Sequence, residues 1–317
     1  MKRLLFTVLA VCAFSGLSQA QQIRLSISTG GTGGVWYPMG GAMANVLSKS
    51  MPNTAATAEV TGGSVDNVKL LATGKTDIGF AMVDTAWEGI NGMGKFKEKV
   101  PMRTLAVVHP LVMHVVTVDG RGIDKMSDLR GKRVSTGSPG SGTEVMALRI
   151  LEAYGINADK DIQRERLSVA EAANALKDRK IDAFMHAAGV PLPAVTDVAV
   201  TPGLKAKLID HADAVETMSK KYGPIYARGK VAAKTYSGQD RDNATATVWG
   251  VLYVNEKMSE KTAYDVVKTL FEKQSELVLA HRESANMTLE NQQIGASPVQ
   301  WHSGALKYFK EKGISPR

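Results

Sequence analysis

Short apolar runs alternate with helical patterns along the first part of the chain. Ile23, Leu25 and Ile27 alternate with polar residues, which predicts a first strand. A helix is predicted over residues 39–50, with Pro38 in its first turn, where a proline ring is tolerated. The residues between this strand and this helix are therefore expected to form a turn.

The same alternation continues to about residue 91. Strands are predicted over 56–60 and 77–83, and helices over 65–73 and 85–91. Ser64 and Asp84 each stand directly in front of a predicted helix, where N-cap residues are found. Because strands and helices alternate in this part of the chain, the pattern favours an α/β fold with a parallel sheet.

The second half of the chain begins with a β-branched run over 105–118. This run contains His109 and Pro110, and proline is unfavourable inside a central strand. We therefore predict that one strand ends and another starts there, as the chain crosses into a second lobe. Further strands are predicted over 181–185, 230–236 and 245–254, and further helices over 144–154, 168–178, 259–279 and 304–312.

These elements predict a two-lobe α/β protein with a ligand cleft between the lobes. The first lobe is expected to comprise residues 21–112 together with 251–317, and the second lobe residues 113–250. Strands near 108–115 and 247–252 are expected to join the lobes, and bending there would open and close the cleft.

Two stretches rich in glycine and small residues lie at predicted strand-to-helix turns, residues 28–38 and 135–143. Glycine lets the backbone approach a ligand closely, and a helix N-terminus favours an anionic group. One such turn alone is as well explained by a flexible loop. Because two occur, one in each predicted lobe, we expect a small carboxylate to bind between them.

Nine residues are candidates for contact with this ligand. Thr32, Gly33, Ser141, Gly142 and Thr143 come from the two turns, Ser64 offers a hydroxyl, Tyr37 a ring or phenol, Asp84 a partner for a ligand amino group, and His186 an imidazole. Each has a competing structural interpretation. A serine, threonine or aspartate before a helix is commonly a cap, and a single histidine is more often a structural hydrogen-bonding residue.

The first twenty residues have the pattern of a secretory signal peptide. Lys2 and Arg3 precede an apolar stretch over 4–14, and Ser18-Gln19-Ala20 resembles a cleavage site; a buried N-terminal strand is the alternative. Cys12, the single cysteine, would leave with this segment. We therefore expect a periplasmic mature chain that begins near Gln21 and has no cysteine.

Charge and motifs exclude several classes of function. Subtracting Lys2 and Arg3 from the formal charge of +8 leaves +6, spread along the chain, which gives little support to nucleic-acid binding but suits an anionic ligand. No nucleophile elbow G-x-S-x-G and no H-E-x-x-H motif occurs. No enzyme activity, metal or cofactor is therefore expected, and no later stretch is apolar enough for a membrane helix.

Several motifs, in this order, resemble those of the TAXI-type extracytoplasmic solute receptors, which serve TRAP transporters. The matching stretches are Thr29-Gly30-Gly31-Thr32-Gly33-Gly34-Val35, Tyr37-Pro38, Gly40-Gly41, Ser64-Val65-Asp66-Asn67, Gly74-Lys75-Thr76-Asp77, residues 128–134, Gly137-Ser138-Pro139-Gly140-Ser141-Gly142-Thr143, Asp182-Ala183-Phe184, Tyr236-Ser237-Gly238-Gln239 and Gly304-Ala305-Leu306. The resemblance implies a type II periplasmic-binding-protein fold. It also implies a monomer that binds an organic acid, glutamate-like or a dicarboxylate, and the membrane subunits of a TRAP transporter as partner.

Two positions depart from that family's pattern. Met82 stands where such receptors often have glutamine, and Leu111 where they often have glutamate after Pro110. Both changes remove polar groups near the expected cleft, so an acid with a less polar tail would fit better. The alternative is a binding protein of an ABC importer for another small anion, which would have the same fold.

Overall fold

The structure, a computed structural model, describes residues 22–316. The predicted signal peptide and Cys12 lie outside the described residues. Within residues 22–316, none of the helices has both the length and the apolar character needed to cross a membrane.

Strands and helices alternate as the sequence predicts for the first lobe and continue through a longer second half. The strands are β1 (Ile23–Ser28), β2 (Thr54–Glu59), β3 (Ile78–Met82), β4 (Met102–Val118), β5 (Arg133–Ser135), β6 (Gln163–Glu165), β7 (Ala183–Ala188), β8 (Ala206–Leu208), β9 (Ala227–Val231) and β10 (Asn243–Asn255). The helices are α1 (Trp36–Ser50), α2 (Ser64–Ala72), α3 (Val83–Asn91), α4 (Gly142–Ala153), α5 (Val169–Lys177), α6 (Pro193–Val200), α7 (Ala214–Tyr222), α8 (Glu260–Glu272), α9 (Gln274–Ala280) and α10 (Ser303–Glu311). Short 3₁₀ turns cover Met126–Leu129, Arg282–Asn286 and Glu290–Gln293.

The strands form one hydrogen-bonded sheet in the order β2-β1-β3-β10-β4-β7-β5-β6, with β8 beside β4 and β9 beside β10. Strands β2, β1 and β3 are parallel, as predicted, and so are β7, β5 and β6. The long antiparallel strands β4 and β10 connect these two parallel sections. The predicted two-lobe α/β fold is therefore confirmed, with hydrogen bonds continuous through the connecting strands; the exact lobe boundaries stay a prediction.

The predicted break at His109 and Pro110 is wrong, because β4 runs through both residues. Pairing with β7 starts at Val112, so Pro110 has a neighbouring strand on one side. The pairing with β10 is also irregular there, with a register shift after Gly250. A proline is tolerated where a strand has a neighbour on one side alone or where the pairing is bulged. At such a position no hydrogen bond to a neighbouring strand requires the N–H that proline lacks.

Two of the predicted caps are also wrong. Ser64 and Asp84 lie inside the first turns of α2 and α3, and neither side chain caps its helix. Two other predicted helix caps are confirmed. Ser168 and Glu171 form a capping box on α5, and the Ser259 hydroxyl accepts the N–H of Thr262 at 3.0 Å.

Two predicted elements in the C-terminal half have different bounds. The helix expected over 259–279 is divided between α8 and α9 at Lys273, whose ψ of 18° departs from helical geometry. The strand expected over 230–236 is β9 followed by a turn. In this turn the Lys234 N–H donates to the Gln239 carbonyl, and Lys234 has a positive φ of 64°. Neither change alters the lobes.

Candidate functional site

A cavity of about 300 Å³ lies between the two lobes. Its walls come from residues that follow β1 and β2, from the last residue of β3, from residues that follow β5 and β6, and from the end of β7. The carboxyl ends of the parallel strands of both lobes therefore meet at this cavity. Ligands in open α/β sheets bind at such an edge.

Six of the nine predicted residues line the cavity: Thr32, Ser64, Ser141, Gly142, Thr143 and His186. Met82 and Leu111, the two departures noted in the sequence, also line it, together with the apolar side chains of Val35, Trp36, Val60 and Val169. No motif in the sequence indicates that Val169 lines the cavity. The capping box at Ser168 marked the start of α5 but not the direction in which that helix points.

Four of the described helices begin at the cavity wall. Trp36 opens α1, Ser64 opens α2, Gly142 and Thr143 open α4, and Val169 opens α5. The first N–H groups of a helix have no partner within it and carry partial positive charge. Among residues 22–316, no acceptor takes the N–H of Ser64, Gly142 or Thr143. These N–H groups are therefore available to a ligand.

Ser64 is fully buried, with 0% of its surface exposed. Its Oγ atom accepts the Met82 N–H at 3.1 Å, and within residues 22–316 its own proton has no acceptor. The hydroxyls of Thr61, Ser138 and Ser141 differ, since each donates to a protein oxygen. Ser64 is thus a free hydroxyl donor at the cavity wall.

The glycine at 142 is required by the approach of the two lobes. A Cβ atom there would lie 2.5 Å from Ser64 Oγ and 2.6 Å from Met82 Sδ. Both neighbours belong to the first lobe, whereas Gly142 begins α4 in the second lobe. Any larger side chain at 142 would therefore collide with the opposite wall.

His186 and Thr143 form a hydrogen-bonded pair at the end of β7. The Thr143 hydroxyl accepts the Ala187 N–H at 3.2 Å, and its Oγ1 lies 3.4 Å from His186 Nδ1. Thr143 Oγ1 is therefore a common partner of the Ala187 N–H and of the His186 ring. Burial lowers the pKa of His186 to about 4, so the ring is neutral at pH 7. Its Nε2 atom lies toward the first glycine turn, 3.8 Å from where a Gly34 Cβ would be.

No Asp, Glu, Lys or Arg side chain within residues 22–316 lines the cavity. Two acidic residues do lie in the first turns of the helices that begin there. Glu144 is buried and paired with Arg164 at 2.7 Å and with Arg166 at 2.6 Å. Asp66 lies against Gly62 and Gly140, outside the lining, and burial raises its pKa. Positive potential at the cavity therefore comes from helix N-termini rather than from a charged side chain in the lining.

Asp84 does not face the cavity, contrary to the expectation that it would meet a ligand amino group. Its Oδ2 atom accepts the Tyr226 hydroxyl proton at 2.7 Å and lies 3.6 Å from Arg149 Nη1. Arg149 also bonds Glu88. Asp84 is fully buried, so its charge is committed to this cluster rather than to a ligand.

Gly33 and Tyr37 also lie outside the cavity lining. A Cβ at Gly33 would be 3.2 Å from Val169 Cγ1 and from Ala170 Cβ, so this glycine lies where the first lobe meets α5. Tyr37 is 37% exposed on α1, while its neighbour Trp36 turns inward and donates its indole N–H to His109 Nε2 at 3.1 Å.

The lobes touch beside the cavity through hydrogen bonds as well as packing. The Ser138 hydroxyl donates to the Gly62 carbonyl at 3.2 Å, and the Asp66 N–H donates to the Gly140 carbonyl at 3.1 Å. The first bond joins loops of the two lobes, and the second joins the first turn of α2 to the loop before α4. The structure therefore represents a closed arrangement of the lobes.

Comparison with known proteins gives one family and a common fold. A model described as the NMT1-like family matches residues 27–313. The putative L-cystine ABC transporter from Listeria monocytogenes is 16% identical with a TM-score of 0.51, over 84% of this chain and 95% of that one. A Bordetella bronchiseptica RB50 protein is 16% identical with a TM-score of 0.54, over 91% of this chain and 89% of that one. A Xanthomonas citri protein bound to ATP is 12% identical with a TM-score of 0.50, over 91% and 94%. At these identities the likeness shows the fold, that of two-lobe solute-binding proteins.

Proposed function

The chain belongs to the NMT1-like family, and we propose that it is an extracytoplasmic receptor that captures a small organic acid and delivers it to a membrane permease. The observation that carries the proposal is the cavity between the lobes, where the N-termini of α1, α2, α4 and α5 meet without a charged side chain in the lining. Such a site holds a small anion by backbone N–H groups. The sequence pattern of residues 1–20 supports a periplasmic location.

In this proposal the lobes open and close about the two connecting strands. The register shifts in the β4–β10 ladder occur after Gly250 and Leu252, within the stretch that the sequence predicts to bend. A ligand that contacts Ser64 from one lobe and Thr143 from the other binds the closed form better than the open form. It would therefore shift the population toward closure and create the surface that the permease recognises.

We further propose that the partner is a TRAP transporter of the TAXI type. The support is the resemblance of the glycine motifs over 29–35 and 137–143, both of which lie beside the cavity. The alternative is an ABC importer, favoured by the fold shared with the putative L-cystine ABC transporter from Listeria monocytogenes. The genes beside the one for this chain discriminate the two: a fused TRAP membrane subunit supports the first, and an ATPase subunit contradicts it.

A thermal-shift screen of organic acids tests the receptor function directly. A ligand that binds the folded form alone stabilises it by about 2.7 kcal/mol at a hundred times its dissociation constant, which raises the melting temperature by several degrees. The purified chain without residues 1–20 should respond to at least one acid in the panel. If no acid shifts the melting temperature while another anion does, the organic-acid assignment is wrong. Consumption of an acid during the screen would instead reveal an enzyme.

A further inference from the structure

Three donors at the cavity wall have no acceptor among the described residues. The Ser64 hydroxyl has no acceptor within residues 22–316, and the Gly142 and Thr143 N–H groups are likewise unpaired. His186 also lines the cavity with its Nε2 atom toward the first glycine turn, and the Nε2–H tautomer makes this ring a further donor. Since Ser64 is fully buried and lines the wall, its free proton is an observation independent of the helix N-termini. A donor-lined site is satisfied by a ligand that only accepts hydrogen bonds.

An ammonium group on the ligand would find no carboxylate in this cavity. Asp84 was the candidate for that role, but it is bound by Tyr226 and lies beside Arg149. An unpaired buried ammonium is costly, because burial removes its hydration without compensation. The site therefore disfavours amino acids.

A second carboxylate would find no arginine or lysine in the lining. Apolar side chains stand in the cavity wall instead, among them Met82, Leu111 and Val169. These side chains suit a hydrocarbon tail and would desolvate a second charge without pairing it.

Resting on the receptor function proposed above, we infer that the ligand is a singly charged carboxylate with an apolar tail, no amino group, and at most a neutral acceptor such as a keto oxygen opposite His186. This conclusion differs from the glutamate-like or dicarboxylate ligand that the sequence resemblance implies. The difference arises from Met82, Leu111 and the commitment of Asp84 to Arg149.

A five-carbon series tests the inference at constant chain length. Pentanoate, 2-oxopentanoate, 2-aminopentanoate, glutarate and glutamate are titrated into the purified chain and followed by calorimetry. We expect pentanoate or 2-oxopentanoate to bind at least a hundredfold more tightly than the other three. If glutarate, glutamate or 2-aminopentanoate binds more tightly, the inference is wrong while the receptor function stands. If none of the five binds but methanesulfonate or phosphate does, both the inference and the organic-acid receptor are wrong.

Two variants test which residues select the ligand. His186→Leu should remove any preference for 2-oxopentanoate over pentanoate, whereas His186→Gln, which keeps an N–H donor, should retain part of it. An unchanged preference in His186→Leu would contradict the role given to His186. Ser64→Ala should weaken both acids about tenfold or more, and equal binding by Ser64→Ala and the parent would contradict the free-donor argument. Circular dichroism of each variant checks that it is folded.

Discussion

Arg149 of α4 lies with its Nη1 atom 3.6 Å from the Oδ2 atom of Asp84 on α3, so a buried ion pair joins the two lobes. Glu88, on the same face of α3, completes the cluster through the other guanidinium nitrogen. Tyr226 donates to Asp84 and accepts from Arg149 at 2.6 Å. Because α4 begins at the cavity and carries Arg149 further along, the same helix lines the cavity and contacts the opposite lobe.

Loss of the Arg149 charge should destabilise the protein strongly. Arg149→Met leaves two carboxylates buried without their cation, and we expect the free energy of unfolding to fall by about 3–5 kcal/mol. Urea unfolding followed by circular dichroism measures this. Lys220→Met removes an exposed pair with Glu216 and is the control, in which the free energy of unfolding should stay close to that of the parent chain. A similar decrease in the free energy of unfolding in both variants would show that the buried cluster stabilises the protein no more than an exposed ion pair does.

A side chain at position 142 should abolish ligand binding without unfolding the chain. Gly142→Val places atoms against Ser64 and Met82 and prevents the lobes from closing. Calorimetry with the best acid of the five-carbon series should show no binding. Gly41→Ala is the control, because this exposed helical glycine has no neighbour within 4 Å of a new Cβ. That variant should bind normally and gain about 0.5–1 kcal/mol of stability. Binding retained by Gly142→Val would place the ligand elsewhere.

Removal of the Thr143 hydroxyl should weaken ligand binding, because this hydroxyl holds two other groups at the cavity wall. Thr143→Ala leaves the Ala187 N–H and His186 Nδ1 without their common partner. We expect a loss of about 1–3 kcal/mol in binding free energy, the range for a hydrogen bond to a charged or buried group. Ser259→Ala provides the contrast: it removes the cap of α8 and should lower stability by about 1 kcal/mol with unchanged affinity. If the two variants behaved alike, Thr143 would have a structural role alone.

Ligand binding should compact the molecule. The closed lobes touch at Gly33 and Val169 and through the bond from Ser138 to Gly62. An unliganded chain lacks the ligand contacts that favour this closed form, so solution scattering should give a smaller radius of gyration with saturating ligand. Gly33→Leu should hold the lobes apart and remove the difference. An equal radius with and without ligand in the parent chain would contradict bending.

Acidification should destabilise the protein below pH 6.5. Burial lowers the pKa of His211 to about 4, whereas the unfolded chain has a value near 6.5. The unfolded state therefore binds more protons between these values, and the stability contributed by the neutral ring is lost as the pH falls through that window. In His211→Gln the slope of unfolding free energy against pH between 6.5 and 5 should decrease by up to about 1.4 kcal/mol per pH unit. An unchanged slope would show that folding does not lower the pKa of His211.

The sequence by itself determined the alternation of strands and helices, the two-lobe fold and the two turns that face each other. These features depend on short-range properties: hydrophobic period, glycine at turns, and capping residues such as Ser168. Six of the nine candidate residues line the cavity, because strand ends of parallel sheets converge by geometry.

The tertiary structure alone decided which side chains face the cavity. Asp84 follows a strand end as Ser64 does, yet it points to Arg149, which comes from the opposite lobe. Gly33 stands within the same turn as Thr32 but packs on Val169. Pro110 is accommodated inside β4 because of where β7 begins to pair. In each case the position of the residue depends on a neighbour that is distant along the chain. Local propensity depends on nearby residues alone, so it does not predict the energy of such a contact.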